Sequence, residues 1–138
     1  MRLSKRCEYG IKAAIRLSLQ SGKGYLQSRE IASSERLPAK FLESILLALR
    51  SASLLESKVG AGGGYRLSRP PAQIRVSDLI RALESPPEPE DSGETDTPGG
   101  AALAALNARL DEAVESAVGD LTLAEVCALT ETSASISR

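Results

Sequence analysis

Apolar residues recur three or four apart at the start of the chain. In "CEYGIKAAIRLSLQ" the positions Cys7, Ile11, Ala14, Ile15, Ser18 and Leu19 fall on one stripe, and Ser21-Gly22 closes the pattern. That spacing predicts an amphipathic first helix. A short second helix is predicted over "SREIASSE", Ser28 to Glu35, with Ser28 as its N-cap. After the turn "RLP", Pro38 suits the first position of a third helix, "PAKFLESILLALRSA". Its apolar face is expected to hold Phe41, Leu42, Ile45, Leu46 and Leu49, while Lys40, Glu43 and Arg50 point elsewhere with Leu47 anomalously beside them.

The period then changes. Leu54–Val59 and Tyr65–Leu67 read as two short strands around a glycine tip, and Pro70-Pro71 stops the second. "VSDLIRALE", Val76 to Glu84, predicts another short helix with Ser77 placed to cap it. Residues 85–100, "SPPEPEDSGETDTPGG", carry four prolines and no basic residue, and are expected to be an acidic linker. Beyond it Leu103, Leu106, Leu110, Ala113 and Ala117 step by three and four, with Val114 and Val118 widening the stripe. This heptad seam predicts one long helix, and packing within the chain against the first helix is one use of its stripe. Thr122 with Glu125 forms a capping box for a final helix through Leu129, and residues 131–138 are expected to be disordered.

Charge redraws this picture. The chain has 138 residues and a formal net charge of −1, but residues 1–83 carry fifteen Lys/Arg against six Asp/Glu, whereas residues 84–138 carry two against twelve. A basic module joined to an acidic remainder points to a polyanionic partner for the first half. With no histidine, the commonest general base and zinc ligand are both absent, and enzymatic chemistry has no evident machinery. Two cysteines, Cys7 and Cys127, are too few for a disulfide framework. No apolar signal core follows Arg2, Lys5 and Arg6, and no run suits a membrane span, so a cytoplasmic protein is expected.

The glycines of "SKVGAGGGYRLSRPP" do not form a phosphate loop: the spacing lacks both G-x-G-x-x-G and a terminal G-K-[ST], and no helix follows directly. A hairpin after a short-helix, turn, longer-helix unit is instead the order of a winged helix-turn-helix, in which the second helix of the pair enters the major groove. Lys40 and Glu43 are then candidates for base edges. Arg2, Lys5, Arg6, Ser28, Arg29, Lys58 and Arg66 are candidates for phosphates, together with the backbone of Gly60, Gly62, Gly63 and Gly64 in the wing.

The segments "YGIKAA", "EIA", "FLESIL" and "GAGGGYRL" resemble the Rrf2 family of bacterial regulators over nearly the whole chain. The resemblance implies a mainly α dimeric transcription factor with a small β-hairpin wing and a long C-terminal dimerisation helix. On it, residues 1–84 form the DNA-binding domain, residues 85–100 the linker and residues 101–130 the dimerisation helix and final helix. The interface would be Leu103, Leu106, Leu110, Ala113, Val114 and Ala117, and the partners a double-stranded operator, a second copy and an unidentified small-molecule or protein effector. Many members hold an iron–sulfur cluster through three cysteines in the segment that here is Ser85–Gly100. It contains no Cys or His, so neither cluster nor other cofactor is expected. Members also commonly have Arg where this chain has Val59. The reading is therefore a homodimeric repressor without a cluster. Its rivals are an adaptor that keeps the fold but works through protein contacts, and a thiol sensor using Cys7 or Cys127, although both cysteines sit on apolar stripes that favour core packing.

Overall fold

The computed structural model describes residues 2–84 and 96–136. Helix α1 (Lys5–Leu19) starts on Ser4, whose Oγ accepts the Cys7 N–H at 3.1 Å. Helices α2 (Ser28–Glu35) and α3 (Ala39–Ser51) follow, separated by a turn in which Arg36 takes φ 57°. The Leu37 N–H reaches back to the Ala32 carbonyl at 2.8 Å and Leu37 is buried, so the turn is tied down from both sides. Strands β1 (Leu55–Lys58) and β2 (Gly64–Leu67) pair antiparallel, Leu55 opposite Leu67 and Lys58 opposite Gly64. A 3-10 turn (Pro71–Gln73) leads to α4 (Val76–Glu84), and the chain ends in α5 (Pro98–Val118) and α6 (Leu123–Ile136).

One core serves α1 to α4, the base of the wing and α6. Ile31, Leu42, Ile45, Leu46, Leu49, Ile74, Leu79 and Leu123 are all fully buried in it. With so few aromatics, aliphatic side chains do this work, each burial contributing about 1.5–3 kcal/mol. Helix α6 is returned to the body by two backbone bonds: the Val76 N–H donates to Leu121 at 2.9 Å, and the Leu123 N–H to Ile74 at 2.8 Å. The capping box forms as the sequence suggests, with the Glu125 N–H donating to Thr122 Oγ1 at 3.2 Å and the Thr122 N–H to Glu125 Oε1 at 3.1 Å.

Several local expectations are corrected. Ser28 is not the cap of α2: Gln27 holds that position without a side-chain bond, and Ser28 is already helical. Pro38 is the N-cap of α3 rather than its first residue, its φ and ψ being extended. Ser77 does not cap α4 either, since the helix begins one residue earlier and buries Ser77. Phe41 leaves the core face and lies edge-on to Tyr9, ring centroids 5.7 Å apart. Residues 98–100 belong to α5 rather than to the linker, because Pro98 opens the helix and Thr97 Oγ1 accepts the Gly100 N–H at 2.9 Å. Of the rest of the linker, residues 85–95 lie outside the described residues. Helix α6 continues to Ile136, beyond the expected stop at Leu129.

Candidate nucleic-acid interface

Helix α3 shows one face to the core and the opposite face to solvent. Leu42, Ile45, Leu46 and Leu49 occupy the inner face, and Lys40, Glu43, Ser44 and Leu47 the outer one. The placement follows from the helical period, since Leu47 stands seven residues after Lys40 and four after Glu43. Among the described residues Lys40 and Glu43 make no ion pair, so a base and an acid stand free on this face. Leu47 is half exposed beside them.

The wing lies beside the helix pair. Gly60 and Gly62 take φ 97° and 75° at its tip, and the Gly63 N–H closes the turn on the Gly60 carbonyl at 2.9 Å. Gly64 is constrained more severely. It combines φ 133° with a position where a Cβ would lie 2.4 Å from the Leu26 carbonyl oxygen, so a side chain here would push the wing off the body. That approach matters because Leu26 and Tyr65 exchange two backbone bonds, each 2.8 Å. The strand stub before α2 thereby docks onto β2 and sets the wing relative to the helix pair. Val59, beyond β1, is 96% exposed.

Charged side chains divide into free and committed ones. Arg2, Arg29 and Lys40 are exposed and without ion-pair partners among the described residues. Ser28 is half-buried at the start of α2, and Lys5 faces Glu8 at 3.5 Å. Arg6 is partly committed within the chain: its Nε donates to the Leu83 carbonyl at 3.2 Å and its guanidinium to Ser44 Oγ at 3.0 Å. It ties α1 to α3 and the end of α4. Arg66 is partly committed. It pairs with Glu56 at 2.9 Å, directly across the hairpin, and lies 4.5 Å from the Tyr25 ring centroid, with Lys58 5.9 Å from the same ring. The Glu56 hydrogen bond, then Tyr25, hold its guanidinium more firmly protonated. Tyr25 and Glu56 were not foreseen as part of this site. The strand register, which sets Glu56 opposite Arg66, is the signal that could have found the latter.

The cysteines separate. Cys7 is fully buried, and burial, followed by Glu84, pushes its thiol up to about 12. The charges it meets are acidic ones, Glu84 and Glu8, which oppose formation of the thiolate. Cys127 is half-buried against the same core.

On the apolar stripe of α5, Leu103 and Leu106 are each 54% exposed and Leu110 43%. Ala113 and Ala117 are likewise exposed, and Val114 is half-buried. The stripe is therefore not packed away against the first helix.

A short helix, turn and outward-facing longer helix followed by a thin wing define a winged helix-turn-helix protein. Residues 3–129 match the Rrf2 family, described as an iron-dependent transcriptional regulator, and the chain belongs to that family. Its members are transcriptional regulators rather than enzymes. The chain is 33% identical over 131 residues to the HTH-type transcriptional regulator CymR of Bacillus subtilis, covering 95% of this chain and 93% of that protein. Among solved structures it is similar to CymR, "the Global Cysteine Regulator of B. subtilis", with TM-score 0.70 and 32% identity over 94% of this chain and 98% of that one. It is also similar to T. potens IscR, with TM-score 0.73 and 28% identity over 96% and 90% of the two chains.

The iron in the family's description does not fit the donors present. The described residues hold no group of three or more His, Cys, Asp or Glu able to bind a metal. One of the two thiols is sealed in the core with its proton held to about pH 12, and the sequence offers no histidine in its place. Soft-metal clusters need several thiolates gathered together, and the described residues do not gather them. No helix among the described residues is long and apolar enough to cross a membrane.

Proposed function

We propose that the protein is a cytoplasmic, homodimeric DNA-binding repressor that works without an iron–sulfur cluster. The observation that carries this reading is the outer face of α3, where Lys40 and Glu43 stand free beside a wing whose backbone is locked to the helix pair. In this reading residues 1–84 bind the operator and the stripe of α5 pairs two copies. Lys40 and Glu43 meet base edges in the major groove. Arg2, Lys5, Arg6, Ser28, Arg29, Lys58, Arg66 and the wing glycines serve phosphates, which position without specifying, Arg6 and Arg66 less than the others because each also has a partner within the chain. A carboxylate on such a helix weakens phosphate attraction and gives selectivity in return, accepting a hydrogen bond from cytosine N4.

Genomic footprinting of the tagged protein in its host tests the reading. It is expected to recover a pseudo-palindromic site with half-sites about one helical turn apart. Glu43→Ala is then expected to relax discrimination at one position per half-site, where a wrong base costs roughly 1–3 kcal/mol. Equal weakening on every sequence would remove Glu43 from base readout. The exposure of Val59 and Leu47 supports a second reading, an adaptor working through protein contacts. Footprints at no discrete sites would favour it.

A further inference from the structure

Helix α5 is a rod held at one end. Its 21 residues span about 31 Å, and every residue from Ala101 to Ala113 is exposed. Contact with the body is concentrated in the last turns, where Glu115 reaches two arginines of the α4 region. Oε1 accepts from Arg75 at 3.0 Å and Oε2 from Arg81 at 2.5 Å. Asp78 completes the group, 3.5 Å from Arg75 and 3.9 Å from Arg81. Among the described residues, every ion pair between α5 and the rest of the chain passes through Glu115. Gly119 provides the room. A Cβ there would lie 2.3 Å from the Glu115 carbonyl oxygen and 2.8 Å from Oε1, so a side chain at 119 would displace both the helix end and the carboxylate.

We infer that Glu115 is a positioning residue for operator recognition: by clamping Arg75 and Arg81 it fixes the angle between the dimer helix and the DNA-reading body, and so the separation of half-sites that the dimer accepts. The inference rests on the homodimer reading above. If two copies pair along α5, each body hangs from this joint. A swing of about 10° there moves a point about 20 Å away by about 3.5 Å, close to the rise of one base pair. Exposed ion pairs contribute little to stability. Their effect here is on an angle that the exposed length of α5, Ala101 to Ala113, adds no ion pair to fix among the described residues.

The test is a set of binding titrations of the full chain on the footprinted operator, with half-site separation changed by −2 to +2 base pairs. The wild-type protein is expected to discriminate steeply. Glu115→Gln and Arg81→Gln should each remain dimeric in sedimentation and bind the best separation within about twofold. The penalty for a one-base-pair change should shrink by about fivefold in Glu115→Gln, the scale of two exposed pairs, and by about twofold in Arg81→Gln, which leaves Arg75 on Glu115. The double variant should match Glu115→Gln, because both changes open the same joint. A wild-type dimer with a steep profile that Glu115→Gln leaves unchanged, or lowers equally at every separation, overturns this inference alone. A wild-type protein that is monomeric or indifferent to separation overturns the homodimer reading and this inference with it.

Discussion

Helices α3 and α5 carry the same kind of apolar stripe and use it in opposite ways. In α3 the stripe Leu42, Ile45, Leu46 and Leu49 is fully buried within the chain. In α5 the stripe Leu103, Leu106 and Leu110 faces solvent, each residue more than two-fifths exposed. The period alone cannot distinguish them, because it says which residues share a face and nothing of what covers that face. What distinguishes them is the neighbourhood. Helix α3 is flanked by α1, α2, α4 and β1, all within one core, whereas among the described residues α5 contributes nothing to that core and its ion pairs to the body pass through Glu115 near its C-terminal end. A stripe that its own chain does not cover is the feature expected of an intermolecular surface.

Breaking the α5 stripe should give the largest effect. In the proposed dimer, Leu106→Asp removes an apolar contact twice across a two-fold axis, a loss of roughly 3–6 kcal/mol in dimerisation at about 1.5–3 per leucine. Sedimentation is expected to show monomer, circular dichroism an unchanged helix content, and operator titrations no cooperativity. An unaltered dimer would place the interface elsewhere than on this helix.

The matching change in α3 should act on the fold itself. Leu46→Ala leaves a cavity in a core with no exposed wall and is expected to cost about 2–5 kcal/mol of folding stability. Denaturant titration reads it directly, and the pairing of copies in whatever fraction stays folded should be unchanged. A loss below about 1 kcal/mol would mean that this core closes over the gap, and the contrast between the two helices would weaken.

A third change sharpens the distinction between sealed and open surface. The Cys7 thiol ordinarily ionises near 9.0 but is held to about 12 in the fold. The folded chain thus keeps a proton that the unfolded chain has already released. The contribution is complete below pH 9 and is lost as pH rises from 9 to 12, by about 1.4 kcal/mol per pH unit. Denaturant midpoints across that window should fall less steeply in Cys7→Ala than in the wild-type protein. In the native state at pH 8, alkylation should spare Cys7 until the protein is unfolded. Identical slopes in both proteins would show that the thiol ionises as freely in the fold as outside it.

Much of the fold was legible because hydrophobic period and turn chemistry agreed. The helix-turn-helix, the hairpin and the capping box at Thr122 all stand where those signals placed them. Errors gathered where a local signal competed with tertiary packing. Ser77 looks like a cap, yet the bond of Val76 to Leu121 begins α4 earlier and draws Ser77 into the interior. Phe41 matches the core period of α3, but Tyr9 offers it an edge-on contact at the rim. At the candidate site, Lys40 and Glu43 were readable because the outer face of a helix follows from its inner one. The uses of Arg6 and Tyr25 were not readable, since both depend on partners far away in sequence: Leu83 and Ser44 for the first, Arg66 and Lys58 for the second.

The smallest expected effect concerns the outward surface of the wing. Arg66 is exposed, but its guanidinium is shared between Glu56 at 2.9 Å and the face of Tyr25. A phosphate competing for it must displace the carboxylate, so Arg66 should add less to DNA affinity than Lys58, whose contact to the same ring is longer and involves no acid. Glu56→Gln removes the competing charge while keeping the shape. Exposed pairs of this kind are worth about 0.2–1 kcal/mol, so binding should tighten by about two- to fivefold. Because Arg66 would then release a counterion of its own, the slope of log K against log salt should steepen by up to about one unit. The gain should be the same on operator and on unrelated DNA, since phosphate contacts carry no sequence information. Arg66→Gln alone should weaken binding only slightly, and the double variant Glu56→Gln/Arg66→Gln should show no gain. If Glu56→Gln instead weakens binding, the ion pair is what holds Arg66 in a useful orientation, and the wing acts through a fixed guanidinium rather than a released one.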